Sequence, residues 1–293
     1  MADNDIKRFS DRKEGRTVRS LPAPIRMTPY VMTGRDESCS RLADSVEVSA
    51  IEQWLLEARE GGWSGIGFIH LLVAAYVRTV SMRPGINRFV AGRRIYARND
   101  IQVVFPVRRT DSYGTHQTLV KVSFGPTDTV YDVFRRMNET VDDIKANMGA
   151  TELEKSAASF LRVPRPFLRL TMRVLRWMDY HDWLPRSLLE ISPFHASLSI
   201  SDMGSLGTPP ESPDLPRFGT LPMALSFGAK RRCYEMEKDG KVVERHYVDY
   251  TFTCDGRIAD APYFAGACKC LKYFLKNPKL LELPPESVED DVN

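Results

Sequence analysis

Three features of this 293-residue sequence predict an α/β or α+β two-layer fold. Several short segments alternate between apolar and polar residues as β-strands do, and they fall in groups separated by segments of helical periodicity. Hydrophobic residues make up 43% of the chain and charged residues 27%, which is typical of a globular protein and not of a disordered one. The length suits one large domain or two modest ones, and no internal repeat is visible.

Composition excludes several functional classes. The 41 Lys and Arg residues barely exceed the 38 Asp and Glu residues, so the formal charge of +3 does not suggest a nucleic-acid-binding protein. No apolar run is long enough for a transmembrane helix, and the polar N-terminus lacks the apolar core of a signal peptide. The five Cys residues are too few and too scattered for a disulfide framework. We therefore expect a cytoplasmic protein.

The N-terminal half predicts an arm, two helices, a group of strands and a third helix. Residues 1–20 are charged and predict a mobile arm. Three prolines predict an extended segment over 21–32, which packs either on a neighbouring subunit or on the chain's own sheet. Helical spacing then indicates helices over 49–60 and 68–82, the second buried on most sides. Strands are expected at 94–98, 101–107 and 117–124, followed by a helix from 126 to about 148.

A basic amphipathic helix is predicted within the helical region 152–190. Its arginines form a single stripe consisting of Arg165, Arg169, Arg173 and Arg176. Such a helix either exposes a charged face to solvent while its apolar face packs on the core, or lies on an anionic membrane surface through residues 165–178. Both alternatives stay open at this point.

The C-terminal third returns to β-structure. Strands are expected at 195–201, 223–228, 231–237, 242–247 and 249–254, with a hairpin turn at Lys238–Gly240. A helix over 262–275 follows, and the acidic, proline-bearing residues after it predict a loose tail.

Common catalytic and metal-binding motifs are absent from the sequence. The five His residues form neither an HExxH pair nor a Cys–His zinc spacing, and no Gly-x-Ser-x-Gly elbow occurs, so we expect no metal site. Two late segments are more informative. The segment 194–207 is a strand that ends in Ser201 and Asp202 before paired glycines, and 252–261 is a strand leading through Asp255, Gly256 and Arg257 into the last helix.

These segments resemble the catalytic domain of dihydrolipoamide acyltransferases, the acyltransferase core of 2-oxo acid dehydrogenase complexes, whose fold is shared with chloramphenicol acetyltransferase. The resemblance spans roughly residues 26–283 and rests on short motifs in the family's order. These motifs are PGIN at 84–87, SDMGSLG at 201–207, the Pro-led strand at 222–228, DGRIADA at 255–261 and LKNPKLL at 275–281.

The resemblance implies an α/β two-layer sandwich of the chloramphenicol acetyltransferase type, with a mixed sheet and helices on one face. It implies a homotrimer with active sites between subunits. CoA or acyl-CoA is the expected substrate, and the acceptor is a small molecule or a lipoyl group presented in trans. By the same resemblance Ser201 of a neighbouring subunit supports the oxyanion, while Asp260 holds Arg257 and shapes the loop.

The sequence departs from the family at the catalytic base. Gly256 occupies the position of the family's catalytic His, and a positioned base typically contributes about 10²–10⁴-fold to the rate. Asp202 replaces an Asn and brings negative charge to a place where an oxyanion would develop. Asp255, His195, His246 or a base on the substrate are the candidate replacements for the missing imidazole.

The expected organisation is an arm (1–20), an acyltransferase-like catalytic domain (21–283) with a helical insertion near 150–190, and an acidic tail (284–293). Only about 20 residues precede the resemblance, so we expect no lipoyl domain and no covalently attached lipoyl group. The first functional hypothesis is a CoA-dependent acyltransferase-family protein with an unidentified base. The second is a catalytically silent relative that binds CoA-like ligands or assembles with partners.

Overall fold

The computed structural model describes residues 11–35, 37–111, 114–146 and 164–292. Its strands, with their bounds, are β1 (Gly15–Thr17), β2 (Cys39–Glu47), β3 (Arg88–Ala91), β4 (Arg94–Arg98), β5 (Ile101–Asp111), β6 (Gly114–Phe124), β7 (Leu198–Asp202), β8 (Met223–Met236) and β9 (Val242–Asp255). Its α-helices are α1 (Ala23–Val31), α2 (Ser49–Glu60), α3 (Phe68–Met82), α4 (Val130–Ala146), α5 (Arg165–Tyr180), α6 (Arg186–Ile191) and α7 (Ala261–Lys276).

A six-stranded mixed sheet with the order β2-β9-β8-β7-β5-β6 forms one layer of the fold. Strand β7 runs parallel to both of its neighbours, and the other pairs are antiparallel. Helix α3 packs against α4 and α7, and this helical layer covers the sheet. The main hydrophobic cluster lies between the two layers, so the predicted two-layer architecture is confirmed.

Helix α3 is the centre of the core. Every residue from His70 to Ser81 is buried, as its continuous apolar pattern predicts. A second, three-stranded sheet with the order β1-β4-β3 lies beside the main one and carries the chain from α3 back to β5.

Residues 11–20 differ from the predicted mobile arm. Strand β1 pairs antiparallel with β4, and Arg12 is buried against Asp179, with 3.1 Å between Nη2 and Oδ1. Glu14 forms an ion pair with Arg98 at 3.2 Å. The charges that suggested a solvated arm are therefore neutralised by partners distant in the sequence.

Residues 23–31 form a helix where the prolines predict an extended segment, so that prediction is wrong. Pro22 is the N-cap residue, Pro24 lies in the first turn, where a missing N–H costs nothing, and only Pro29 lies inside the helix. Strands β8 and β9 are also longer than expected. Each is one continuous strand where two were expected. In β8 a bulge between Phe227 and Lys230 shifts the register without ending the strand.

The acidic tail is not loose over residues 284–292. Asp291 forms an ion pair with the buried Arg88, whose Nε donates to Oδ2 at 2.7 Å, and the Glu289 N–H donates to the Ser81 carbonyl at 2.8 Å. In the region of the helical insertion, α5 and α6 are helical as expected, whereas 147–163 lie outside the described residues.

Candidate functional site

The loop that follows β9 holds most of the predicted site residues, and Asp255 organises it. Asp255 is 1% exposed, and its carboxylate accepts two hydrogen bonds from the Arg257 guanidinium, from Nε at 2.9 Å and from Nη2 at 2.7 Å. The Arg257 N–H and the Ser38 hydroxyl also donate to Oδ1, and Arg35 Nε lies 3.8 Å from Oδ2. Both oxygens of this buried carboxylate are occupied by donors of the protein itself, so Asp255 serves to position the loop.

Arg35 and Arg257 extend this cluster to distant parts of the chain. Arg257 Nη1 donates to the carbonyls of Met32 and Thr33 at 3.3 Å each, and Arg35 Nη1 donates to that of Pro216 at 2.8 Å. The pKa of Arg35 is lowered to about 10, mainly by burial and also by the charge of Arg257, although Asp255 opposes this shift. Two buried cations therefore share one buried anion, which locks the loop to the segment after α1.

Gly256 is packed against backbone. Its N–H donates to the Ser38 carbonyl at 2.8 Å, and a Cβ placed on Gly256 would lie 2.6 Å from that same oxygen. Real Cβ atoms do not approach an oxygen so closely, so no side chain fits here unless the backbone moves. The backbone of Ser38, the residue before β2, therefore occupies the space that a side chain at position 256 would need.

Asp260 has a different role from the one that the resemblance implies. It is the N-cap residue of α7, and its Oδ1 accepts the Tyr263 N–H at 2.9 Å. Asp260 is exposed, and it is Asp255 that holds Arg257. The expected Asp260–Arg257 pairing is therefore wrong. Asp255, two residues before Arg257 in the same tight turn, pairs with the guanidinium instead.

Ser201 does not lie beside this loop within one chain. It is half-buried near the end of β7 and pairs with Ser226 of β8, which in turn pairs with Thr251 of β9. Asp255 lies two strands away from Ser201 and four residues further along, which is about 13 Å in the strand direction. Asp202 accepts the Ser205 N–H at 2.9 Å and so stabilises the turn that follows β7.

None of the four histidine side chains that the structure describes bonds to the loop 255–261. His195 is fully buried, with Nδ1 2.8 Å from Ser192 Oγ and Nε2 3.5 Å from Asp179 Oδ1. His246 lies on β9 nine residues before Asp255, and its Nε2 is 3.3 Å from Glu244 Oε1. Burial lowers the pKa of His70 to about 4, so it is neutral at physiological pH.

A cavity of about 500 Å³ lies beside the loop, and the sequence did not predict it. Arg35, Asp179 and Arg257 line it together with residues from α1, α5 and the β3–β4 turn. Burial opposes ionisation of Asp179, but His195, Arg12 and Arg35 outweigh it and lower the pKa of this carboxyl. Two residues that the sequence singled out line the cavity: Arg257 of the loop after β9 and Arg176 of the basic stripe.

The described residues contain neither a membrane-spanning helix nor a metal cluster. None of their helices is long and apolar enough to cross a membrane. No group of three or more His, Cys, Asp or Glu side chains among them is arranged to hold a metal ion.

Comparison with known proteins identifies the fold. No family model matches the sequence, and no curated protein matches it. Among solved structures, a probable dihydrolipoamide acetyltransferase from Listeria monocytogenes 4b F2365 is 11% identical with a TM-score of 0.54, covering 88% of this chain and 94% of that one.

Two other solved structures agree with this assignment. The catalytic core of the 2-oxoacid dehydrogenase multienzyme complex from Thermoplasma acidophilum is 13% identical with a TM-score of 0.52, covering 89% of this chain and 98% of that one. The dihydrolipoamide acetyltransferase of Azotobacter vinelandii is 15% identical with a TM-score of 0.50, covering 91% and 94%. At these identities the likeness concerns the fold: the chain has the α/β two-layer sandwich of the dihydrolipoamide acyltransferase catalytic core, as its motifs predict.

Proposed function

We propose that this chain is a relative of the CoA-dependent acyltransferases that binds an acyl-CoA-type ligand, or assembles with partners, without transferring the acyl group itself. The fold supports the first half of this proposal. The observation that carries the second half is the contact between Gly256 and the Ser38 carbonyl, which leaves no room for a base at the position where the family has its His.

The chemistry of acyl transfer explains why that contact matters. A thiol or hydroxyl acceptor must lose a proton as it attacks the thioester, and a positioned base contributes about 10²–10⁴-fold to that step. Asp255 is committed to Arg257 and Arg35, and His195 to Ser192 and Asp179. Neither of these candidate bases, nor His246 near the β8–β9 hairpin, supports proton transfer at the loop.

We further propose a homotrimer in which ligands bind between subunits. The distance between Ser201 and the Asp255 loop within one chain supports this, since the two could meet only if a neighbouring copy supplied one of them. In that arrangement Ser201 would support an oxyanion, and a small-molecule acceptor or a lipoyl group carried by another protein would enter beside it. A cytoplasmic location remains our expectation.

Binding and turnover should be measured on the same preparation. Sedimentation equilibrium is expected to give three times the chain mass of 33.3 kDa. Calorimetric titration with CoA and acetyl-CoA should then show binding, while CoA release from acetyl-CoA in the presence of dihydrolipoamide, amines or alcohols should stay at the buffer rate. If intact trimers bind neither CoA nor acetyl-CoA, the proposed ligand is wrong. If CoA is released faster than in buffer, the chain is not catalytically silent.

A replacement of Gly256 by His is not expected to restore activity. The new Cβ would collide with a backbone oxygen, and a backbone atom cannot rotate away as the end of a flexible side chain can. We expect Gly256→His to be less stable than the parent and equally unable to release CoA.

A further inference from the structure

The arginine-lined cavity opens between two helices near the surface. Its walls come from the end of α1, from the last turn of α5, from the β3–β4 turn and from the segment 217–219. Arg35 and Arg257 lie buried in its wall, while Arg93, Arg176 and Arg217 line it from more exposed positions.

The charges in this cavity favour an anionic ligand. Five arginines line it, against the two carboxylates Glu37 and Asp179. Asp179 already pairs with Arg12. Among the residues that the structure describes, the ion pairs nearest the cavity involve Arg12, Arg35 and Arg257 but neither Arg93 nor Arg176. A phosphate group has the charge and the acceptor oxygens that guanidinium groups bind best.

The β3–β4 turn presents one of these arginines in an unusual backbone conformation. Gly92 and Arg93 both have positive φ angles, 53° and 60°, as the two central residues of a tight hairpin turn. A long side chain in this region is uncommon, since Asn and Gly are the usual occupants. The strained position holds Arg93 at the cavity.

Helix α5, which borders the cavity, turns an apolar stripe away from the body of the protein. The stripe residues lie at i, i+3, i+7 and i+10 and are well exposed: Phe167 (61%), Leu170 (54%), Val174 (43%) and Trp177 (51%). On the opposite side of the helix, Asp179 is buried. The apolar side chains that flank the basic stripe on its other side, Leu168, Met172, Leu175 and Met178, are half-buried. Helix α5 therefore has one half-buried apolar side, as expected, and exposes this second one.

The four arginines of the basic stripe lie alongside the apolar one. Arg165, Arg169, Arg173 and Arg176 are all exposed and follow one edge of α5. An exposed row of large apolar side chains flanked by a row of arginines is typical of a helix that lies in the plane of a membrane interface.

Other elements near the cavity expose large apolar side chains as well. Helix α1, which borders the cavity through Pro29, exposes Met27 (55%), Tyr30 (50%) and Val31 (74%). Trp183 (58%) packs edge-on against Trp177, with 4.8 Å between ring centroids. Trp and Tyr are the residues most often found where a protein meets the headgroup region of a bilayer.

We propose that this face docks on an anionic membrane, with a lipid headgroup phosphate in the arginine cavity and the stripe Phe167–Trp177 in the interface. Charge decides between this occupant and a second copy of the chain. Two copies meeting through α5 would bring like rows of arginines together, whereas lipid phosphates neutralise them. The proposal goes beyond the proposed function and does not depend on it.

Vesicle flotation tests the proposal on the full chain. We expect flotation with phosphatidylcholine vesicles that contain phosphatidylglycerol, little with phosphatidylcholine alone, and a loss of binding as salt rises. Trp177→Ala should weaken binding about tenfold, because one large apolar side chain no longer enters the interface. Arg93→Ala and Arg176→Ala should each weaken it about fivefold.

Matched controls lie on the β8–β9 hairpin. Tyr234 is 66% exposed and the Arg232 side chain 73% exposed, so Tyr234→Ala and Arg232→Ala remove comparable groups from another surface and should leave flotation unchanged. Far-UV circular dichroism and thermal melting of each variant verify that the fold is intact.

Four results would overturn the proposal. The first is no flotation with anionic vesicles at low salt, and the second is equal loss of binding in the hairpin controls. The third is binding of glycerol phosphate or inorganic phosphate, weakened by Arg93→Ala, without any vesicle binding, which would assign the cavity to a soluble phosphate compound. The fourth is a change of sedimentation coefficient in Trp177→Ala with vesicle binding unaltered, which would assign the stripe to a second copy.

Discussion

The role of each residue around the Asp255 loop follows from what its atoms touch. The backbone at Gly256 contacts the Ser38 carbonyl, and the carboxylate of Asp255 joins Arg35, Arg257 and Ser38. The sequence shows a glycine at the position where the resemblance implies a histidine. It could not reveal that the Ser38 backbone lies against this glycine, because that contact joins residues more than 200 positions apart.

Adding a methyl group at Gly256 tests the close backbone contact. We expect Gly256→Ala to lower the free energy of unfolding by about 1–3 kcal/mol, the usual cost of overpacking. Gly61→Ala is the control, since its added Cβ would meet nothing closer than 3.4 Å. Urea denaturation of both variants measures the difference, and equal midpoints would show that Ser38 moves aside at little cost.

Removing the charge of Asp255 should be far more damaging than removing an exposed one. Asp255→Asn leaves Arg35 and Arg257 buried without an anion, so we expect a loss of about 3–5 kcal/mol. Asp249→Asn breaks the exposed pair with Arg231 and should cost less than about 1 kcal/mol. Chemical denaturation of the two variants side by side is the measurement, and similar losses would contradict the role given to Asp255.

His70 predicts a pH dependence of stability at the start of α3. Its pKa is about 4 in the folded chain, below the ordinary value of 6.5, so the unfolded chain takes up the proton first. The contribution of neutral His70 to the free energy of unfolding is therefore fully present above about pH 6.5. It is lost as the pH falls towards about 4, by at most about 1.4 kcal/mol per pH unit.

The measurement for His70 compares the parent with His70→Asn, which does not titrate and keeps a side-chain acceptor for the Gly67 N–H. Urea midpoints at about pH 7.5 and about pH 5 should differ more for the parent than for the variant. The same difference in both would mean that other groups cause the pH dependence.

At the level of elements, periodicity predicted the helices and turns that the local sequence determines. It missed the features that depend on tertiary packing. Helices α2, α3 and α7 and the hairpin turn lie where expected, because their patterns are long and their ends carry turn residues. Helix α1 was missed because the prolines at its N-cap and in its first turn were interpreted as helix-breaking residues. For α5 the sequence left two alternatives open, packing on the core or contact with a membrane, since periodicity defines a stripe but not its partner.

The N-cap of α7 gives a test of the role assigned to Asp260. Asp260→Ala should cost about 1 kcal/mol, and Asp260→Asn should restore most of it, because Asn caps a helix about as well as Asp. Ligand affinity should not change in either variant, since Asp260 does not hold Arg257. A large loss of affinity in Asp260→Asn would instead support the role that the resemblance implies.

For the whole molecule, short motifs in the right order identified the fold at identities of 11–15% to the solved structures. Such motifs mark strand ends and turns, which the topology of a fold constrains. The packed tail and the strand at 15–17 could not be predicted in this way, because they depend on ion pairs with residues far along the chain. The cavity was missed for the same reason, because five separate segments of the chain build its wall.

The measurement that tests the central claim most directly is CoA release from acetyl-CoA by the assembled protein, followed with a thiol reagent at saturating dihydrolipoamide. A chain that has no side chain at position 256 should release CoA at the rate of buffer alone. Calorimetry on the same sample should show that acetyl-CoA is bound. Release well above that rate, retained after repurification and removed by Ser201→Ala, would contradict the account and show that another group supplies the base.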